Sequence, residues 1–198
     1  MNPIDPKNIT NLCRTESELQ AFWMFCISVA GKNSDYASAA LSRFLSKKQQ
    51  DQTPFEFLAQ LGNDGIQEEL VQSKIGQYNR IRVAFIQSLE LDLRTCTLDD
   101  LLGIYGVGPK TARFFLLHTR KDAKYAVLDT HILAWMRKHG VDAPLRSPHP
   151  KQYGNYERMF LQMIQSHFPG IHPADVDLLI WIEQSGRLKG ANEGGNIA

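Results

Sequence analysis

A lysine and an aspartate, each beside a predicted helix start, are the residues of this chain best suited to covalent chemistry. Lys110 follows the turn 106–109, Gly-Val-Gly-Pro, and Asp129 stands in the segment 127–131, Val-Leu-Asp-Thr-His. A neutral lysine amine can attack a sugar carbon and form a Schiff base, and the apolar residues that follow Lys110 favour the neutral form. A carboxylate can stabilise the cationic sugar that forms when a leaving group departs, and can move protons for the amine.

The glycine turn before Lys110 predicts a phosphate cradle. Gly106 and Gly108 permit backbone angles with positive φ and carry no Cβ to obstruct a phosphate. Pro109 suits the first position of a helix, and the amides at a helix N-terminus favour an anion. A short helix capped at Thr97 precedes the turn, so the pattern is helix-hairpin-helix. We expect it to hold a sugar-phosphate backbone without reading base sequence.

Asp129 is expected to cap a helix that runs from Thr130 to His139. Capping alone would explain an aspartate at this position. Its spacing from Lys110 favours a chemical role in addition. His131 lies at the same helix start, where it either donates to a phosphate or is an ordinary surface histidine.

Apolar residues recur at helical spacing almost throughout the chain, and alternating runs are nearly absent, so the predicted fold is all-α. The length of 198 residues suits a single domain or two small lobes that share a core. The predicted capping box that starts at Thr15 leads into a strongly apolar helix. The Gly- and Asn-rich tail, 190–198, is predicted to be disordered.

The composition narrows the classes of function. The 22 basic and 21 acidic side chains nearly cancel, so any nucleic-acid site must be local. Cys13, Cys26 and Cys96 are far apart, which argues against a zinc site or an iron–sulfur cluster. No targeting signal is evident, and the apolar run 21–30 is too short to span a membrane. We therefore expect a cytoplasmic or nucleoid-associated protein that contacts no membrane.

The segment 106–110 together with 127–131 resembles the helix-hairpin-helix/Gly-Pro-Asp superfamily of DNA base-excision glycosylases. Monofunctional members lack the hairpin lysine, so the resemblance is to the bifunctional branch. It implies that Lys110 is the nucleophile and Asp129 the second catalytic residue. The endonuclease III branch usually carries four C-terminal cysteines around a cluster, which this chain lacks. Because these cysteines are absent, the chain more closely resembles the 8-oxoguanine glycosylases, and in particular the archaeal GO type.

The resemblance implies a DNA glycosylase/AP lyase that excises 8-oxoguanine during base-excision repair and then cleaves the strand by β-elimination. Damaged double-stranded DNA would be its partner, and we expect a monomer. Two helical lobes would flank an active-site cleft: 30–135 with the hairpin, and 1–29 with 136–189. No cofactor would be required. The family's hairpin binds a monovalent cation, K⁺ or Na⁺, which would map to the backbone carbonyls of Leu102, Ile104 and Val107.

The resemblance also assigns residues that would open the DNA and hold the damaged base. The segment 76–79 is similar to the Gly-Leu-Tyr-Asn segment of endonuclease III, so Gln77, backed by Tyr78, would enter the base stack, and Asn33 would face the orphaned base. The base pocket would consist of Phe114, Asp177 and Trp181, with Gln20 and Trp23 as candidates for the opposite wall. Phe114 follows Lys110 by one helical turn, as Trp181 follows Asp177.

The sequence also allows simpler interpretations. Asp177 and Trp181 could be a surface aspartate and a core tryptophan, and the two wedge segments could be ordinary loops. An oxidised-pyrimidine glycosylase without a cluster, and a non-catalytic helix-hairpin-helix module, are the alternative functions. An all-helical protein-interaction domain is a third, but it leaves the turn before Lys110 unexplained.

Overall fold

The computed structural model describes residues 4–185, and that part of the chain contains helices and no strand, which confirms the predicted all-α fold class. The predicted disordered tail lies outside the described residues. Within residues 4–185, no helix has the length and apolar character needed to cross a membrane. The helices are α1 (Glu16–Val29), α2 (Ser34–Leu45), α3 (Pro54–Gln72), α4 (Tyr78–Ser88), α5 (Leu98–Leu102), α6 (Pro109–Leu117), α7 (Thr130–Lys138), α8 (Pro150–His167) and α9 (Pro173–Gln184).

The described part of the chain forms two compact units, which divide between Thr119 and Arg120. In the first unit, α1 is the central element: ten consecutive residues, from Leu19 to Ser28, are buried, and α1 packs on α2, α3, α4 and α6. A helix that is apolar on all sides must be surrounded by other elements. The division therefore differs from the predicted lobes, because α1 belongs with the helices that follow it.

The second unit contains α7, α8 and α9, of which α9 packs on both of the others. Its core includes Trp135, Tyr153 and Phe160. The hairpin lysine thus belongs to the first unit and Asp129 to the second.

Side-chain caps fix most of the helix starts that matter for the site. Thr15 and Thr97 each form a capping box, while Asn33 and Asp129 accept hydrogen bonds from the first amides of α2 and α7. Helix α3 contains a kink at Gly62, with φ +62° and ψ −175°, and continues beyond it to Gln72.

Candidate active site

The hairpin turn leaves the start of α6 open to a ligand. Gly108 is the N-cap residue and provides no side-chain hydrogen bond, and a Cβ at this position would meet no atom within 4 Å. The amides of Lys110 and Thr111 lie in the first turn of α6, where helical geometry supplies no backbone acceptor. Pro109 has no amide, so the donors toward an anion would be Gly108, Lys110 and Thr111. The phosphate cradle stays a prediction.

The two glycines of the turn have different roles, which corrects the sequence prediction. Only Gly106 has a positive φ, +74°, whereas Gly108 has φ −100°, a value that any residue adopts. The space beside Gly106 is filled by the Arg80 side chain, because a Cβ on Gly106 would lie 2.6 Å from Arg80 Cγ. Gly106 therefore accommodates an arginine of α4, while the space beside Gly108 is open.

Arg80 connects three segments of the first unit, and sequence reasoning missed it. Its guanidinium donates to the carbonyl of Gly106 at 3.2 Å, to Gln77 Oε1 at 2.7 Å and to the carbonyl of Ile27 at 2.8 Å. Burial lowers the pKa of Arg80. The available signal was a basic residue one helical turn after the predicted wedge, Gln77.

The two predicted wedge segments lie side by side in the first unit. Gln77 is exposed, adopts the left-handed conformation with φ +51°, and donates from Nε2 to the carbonyl of Ala30 at 3.5 Å. Lys32 donates to the carbonyls of Ser28 and Ile75, at 3.0 and 2.6 Å. These bonds join the loop after α1 to the loop before α4.

Asn33 and Tyr78 occupy helix starts beside these loops. Asn33 is exposed, and its Oδ1 accepts from the amides of Asp35 and Tyr36 at 3.0 and 3.1 Å. Tyr78 is the first residue of α4 and is half-buried. The roles of Gln77, Tyr78 and Asn33 against DNA stay predictions.

Lys110 is the second residue of α6 and is half-buried. In the described part of the chain its ammonium has no hydrogen bond or ion pair. One turn further, the half-buried ring of Phe114 lies 5.7 Å from the ring of Phe22 and 6.5 Å from that of Phe25. The ring of His118 meets that of Phe114 edge-on at 5.1 Å. An aromatic cluster on α1 thus fixes the predicted stacking residue relative to the lysine.

Gln20 and Trp23, the candidates for the opposite wall of the base pocket, are both buried in the first unit. Trp23 is 0% exposed, and its indole donates to Ser88 Oγ at 2.7 Å. Gln20 is buried, with Oε1 accepting from the Phe55 amide at 2.9 Å and Nε2 donating to Glu16 at 3.1 Å. Both side chains have hydrogen bonds within the protein, and their contact with a base stays a prediction.

Asp129 caps α7 with one carboxylate oxygen. Its Oδ1 accepts from the amides of His131 and Ile132, each at 2.9 Å, and the residue is half-buried. Oδ2 takes no part in either bond. The helix start therefore orients the carboxylate while one oxygen is left for other interactions, so the capping role and the chemical role are compatible.

The extended segment before Asp129 is held by two polar side chains of α8 that sequence reasoning missed. The Tyr153 hydroxyl donates to the carbonyl of Ala126 and accepts from the amide of Leu128, both at 2.9 Å. Glu157 accepts from the Ala126 amide at 2.9 Å. Both side chains are buried, and they lie one turn apart on α8. Polar residues at such spacing on an otherwise apolar helix face were the available signal.

The exposures of Asp177 and Trp181 are opposite to the simpler interpretation, in which Asp177 is a surface acid and Trp181 lies in the core. Asp177 is 5% exposed, whereas Trp181 is only half-buried. Both lie on α9, which packs on α7, and the rings of His131 and Trp181 are nearly perpendicular, with 6.4 Å between their centroids. A buried carboxylate and a partly exposed indole therefore lie near the helix start that carries His131.

The hairpin carbonyls suit a monovalent cation chemically. The carbonyl of Ile104 accepts from the Val107 amide at 3.1 Å, and a carbonyl has two lone pairs, so this bond leaves one for an ion. Leu102 and Val107 would supply further neutral oxygens. In contrast, residues 4–185 contain no group of three or more His, Cys, Asp or Glu side chains that could hold a metal ion.

Comparison with solved structures gives the same fold as the sequence prediction. The 8-oxoguanine DNA glycosylase of Thermotoga maritima has a TM-score of 0.63 at 20% identity, over 85% of this chain and 80% of its own. The 8-oxoguanine glycosylase/lyase of Methanocaldococcus jannaschii, solved in complex with 15mer DNA containing 8-oxoguanine, has a TM-score of 0.66 at 18% identity, over 91% of this chain and 84% of its own. At these identities the likeness is one of fold.

A protein that is similar in sequence is also an 8-oxoguanine glycosylase. The 8-oxoguanine DNA glycosylase/AP lyase of Thermoplasma acidophilum is 32% identical over 85 residues, which cover 43% of this chain and 39% of the relative. The match thus spans well under half of that protein. No family model matches the chain.

Proposed function

We propose that this protein is a bifunctional DNA glycosylase/AP lyase of base-excision repair that removes 8-oxoguanine from double-stranded DNA. The observation that carries the proposal is Lys110, an amine without a protein partner in residues 4–185, on the open first turn of a hairpin helix. The fold likeness to 8-oxoguanine glycosylases supports the same function. We expect the protein to act as a monomer.

The proposed reaction begins with attack by the neutral Lys110 amine on the anomeric carbon of the damaged nucleotide. The new carbon–nitrogen bond replaces the bond to the base, which leaves with the bonding electron pair and takes up a proton. Opening of the sugar ring then gives a protonated Schiff base. Loss of the C2′ proton leads to β-elimination of the 3′ phosphate, and hydrolysis returns the amine.

Asp129 would stabilise positive charge and transfer protons. Its carboxylate stabilises the cationic sugar that forms as the base leaves, and it can accept the proton that the attacking amine loses. The bonds from the amides of His131 and Ile132 fix its orientation in advance. His131 and the start of α6 would contact backbone phosphates.

The base would be recognised by aromatic stacking and by one buried acid. Asp177 can accept hydrogen bonds from purine ring N–H groups, while Phe114 and Trp181 offer faces for stacking. Gln77, Tyr78 and Asn33 would fill the gap in the duplex. A monovalent cation on the carbonyls of Leu102, Ile104 and Val107 would stiffen the hairpin against the phosphate.

Borohydride trapping tests the nucleophile. Reduction of the Schiff base should fix the protein covalently to a duplex that contains 8-oxoguanine, and Lys110→Gln should abolish the product while duplex binding persists. Lys151→Gln, which changes an exposed lysine on α8, is the matched control and should trap normally. Trapping that survives Lys110→Gln would show that another amine is the nucleophile.

A panel of lesion duplexes tests the substrate. We expect excision of 8-oxoguanine to exceed that of thymine glycol, and Asp177→Asn to reduce excision of the purine more than trapping on a preformed abasic site. Preference for thymine glycol would contradict the pocket and support an oxidised-pyrimidine glycosylase. Binding without any excision would support a non-catalytic module.

A further inference from the structure

Two exposed histidines meet at the ends of two helices in the second unit, and the proposed reaction uses neither. His139 is the C-cap residue of α7, and His167 is the last residue of α8. Their ring centroids are 5.1 Å apart, and the ring planes cross at 84°. Both side chains are accessible to solvent.

The backbone fixes the tautomer of each ring. Nδ1 of His139 lies 2.8 Å from the carbonyl oxygen of Trp135, and Nδ1 of His167 lies 2.8 Å from that of Met163. Since a carbonyl can only accept, both Nδ1 atoms carry protons, and in a neutral ring Nε2 keeps its lone pair. Histidines that bind metals commonly have this arrangement, in which the other ring nitrogen donates to a carbonyl.

A buried tryptophan holds the two rings in place. Trp135 is 3% exposed, and its ring centroid lies 4.2 Å from that of His139 and 5.5 Å from that of His167. Phe160 and Phe168 pack on the same indole. Because the rings are already ordered by packing and hydrogen bonds, a ligand that binds both loses little free energy in ordering them.

The electrostatics of this corner favour a cation. Both histidines lie at helix C-termini, where the macrodipole places partial negative charge. The neighbouring basic side chains interact elsewhere: Lys138 faces Glu183 at 3.8 Å, and Arg137 donates to the carbonyls of Ala143 and Pro144.

We propose that His139 and His167 bind one divalent transition-metal ion through their Nε2 atoms, with water completing the coordination. Imidazole ligands select Cu²⁺, Ni²⁺ and Zn²⁺ over Mg²⁺ and Ca²⁺. Two imidazoles on one tetrahedral ion, each with nitrogen about 2.0 Å from it, place their ring centroids about 5 Å apart, close to the spacing of this pair. With two protein ligands the site is open, and its ion exchangeable.

Cu²⁺ titration of the full chain without DNA tests the site, since Cu²⁺ quenches the fluorescence of a nearby indole such as Trp135. We expect saturable quenching with one equivalent bound by calorimetry. His139→Gln and His167→Gln should each weaken binding at least about tenfold. His149→Gln, an exposed histidine at the start of α8, is the control and should bind as the parent does.

Two further measurements keep the outcome interpretable. Circular dichroism and the metal-free melting temperature show whether each variant is folded, and His167→Gln, which leaves the closer stacking partner of Trp135 in place, is the safer variant. Unchanged binding in folded His167→Gln, or equal loss in His149→Gln, would overturn the proposal. None of these measurements uses DNA, so their outcome does not bear on the proposed glycosylase function.

Discussion

Arg80 occupies the space that Gly106 leaves by having no side chain, and its guanidinium donates to the carbonyl of that same glycine at 3.2 Å. The remaining donors of Arg80 reach Gln77 and the end of α1. One side chain therefore sets the position of the hairpin relative to the predicted wedge. Both features lie within the first unit.

Gly106→Ala should destabilise the fold. The new Cβ would meet Arg80 Cγ at 2.6 Å, and a φ of +74° costs a residue with a Cβ about 1–2 kcal/mol. Urea unfolding measures the loss. Gly108→Ala is the matched control: its φ is −100° and its surroundings are open, so stability should hold while duplex binding weakens. Equal stability losses would contradict the division of roles between the two glycines.

Arg80→Met should impair the reaction more than the fold. Methionine keeps much of the apolar stem but donates to none of the three acceptors, so the wedge loop and the hairpin lose their common support. We expect single-turnover excision to fall about 10-fold or more, as for misplaced catalytic groups, and trapping on a preformed abasic site to fall less. Arg80→Lys should restore part of the activity, because a single ammonium nitrogen can donate to some but not all of the three acceptors. A variant with normal excision and reduced stability would make Arg80 merely structural.

The sequence predicted the helices better than the contacts that support the candidate site. Capping residues such as Thr15 and Asp129 act over a few positions, so their effect is visible locally. Arg80, Tyr153 and Glu157 act on segments that are distant in sequence, and only the folded chain brings those partners together. For Trp23 the sequence does not separate the two possibilities, because an aromatic residue on an apolar helix has the same pattern in a core as in a pocket.

Substitutions can separate the two expected roles of Asp129, as a helix cap and as a negative charge. Asparagine caps helices about as well as aspartate, so Asp129→Asn should keep the melting temperature. It removes the negative charge, however, and excision should fall by about 10²-fold or more. Asp129→Ala also removes the cap and should cost about 0.5–2 kcal/mol of stability. If Asn retains activity and Ala loses it, the residue is a cap alone.

Tyr153→Phe should weaken the second unit and loosen the support of Asp129. The change leaves the Leu128 amide and the Ala126 carbonyl without the buried hydroxyl, a loss of about 1–3 kcal/mol for a buried unsatisfied group. Glu157→Gln is a milder comparison, since the amide oxygen can still accept from Ala126. Denaturant unfolding measures the stability, and single-turnover excision on the same preparations measures the effect on Asp129. Unchanged stability in Tyr153→Phe would show that this hydroxyl is dispensable.

Lys32 should make the free energy of unfolding depend on pH in the alkaline range. Burial, and secondarily the charge of Arg80, lower the pKa of Lys32 from 10.5 to about 8. Between these values the unfolded chain holds a proton that the folded chain has lost, so the free energy of unfolding rises with pH in this window. Below about pH 8 both states are protonated, and the cost of burying the charge is present in full.

Lys32→Met isolates this contribution, because the variant lacks the titrating amine. Urea unfolding at neutral pH and near the top of the window should show the parent gaining stability relative to Lys32→Met as pH rises. Lys47→Met, which changes an exposed lysine, is the control, and its stability difference from the parent should not depend on pH in this window. The hydrogen bonds from Lys32 to Ser28 and Ile75 join the two wedge loops, so excision by Lys32→Met should fall at neutral pH. A stability difference that is flat across the window would mean that the amine is not buried in solution as the structure has it.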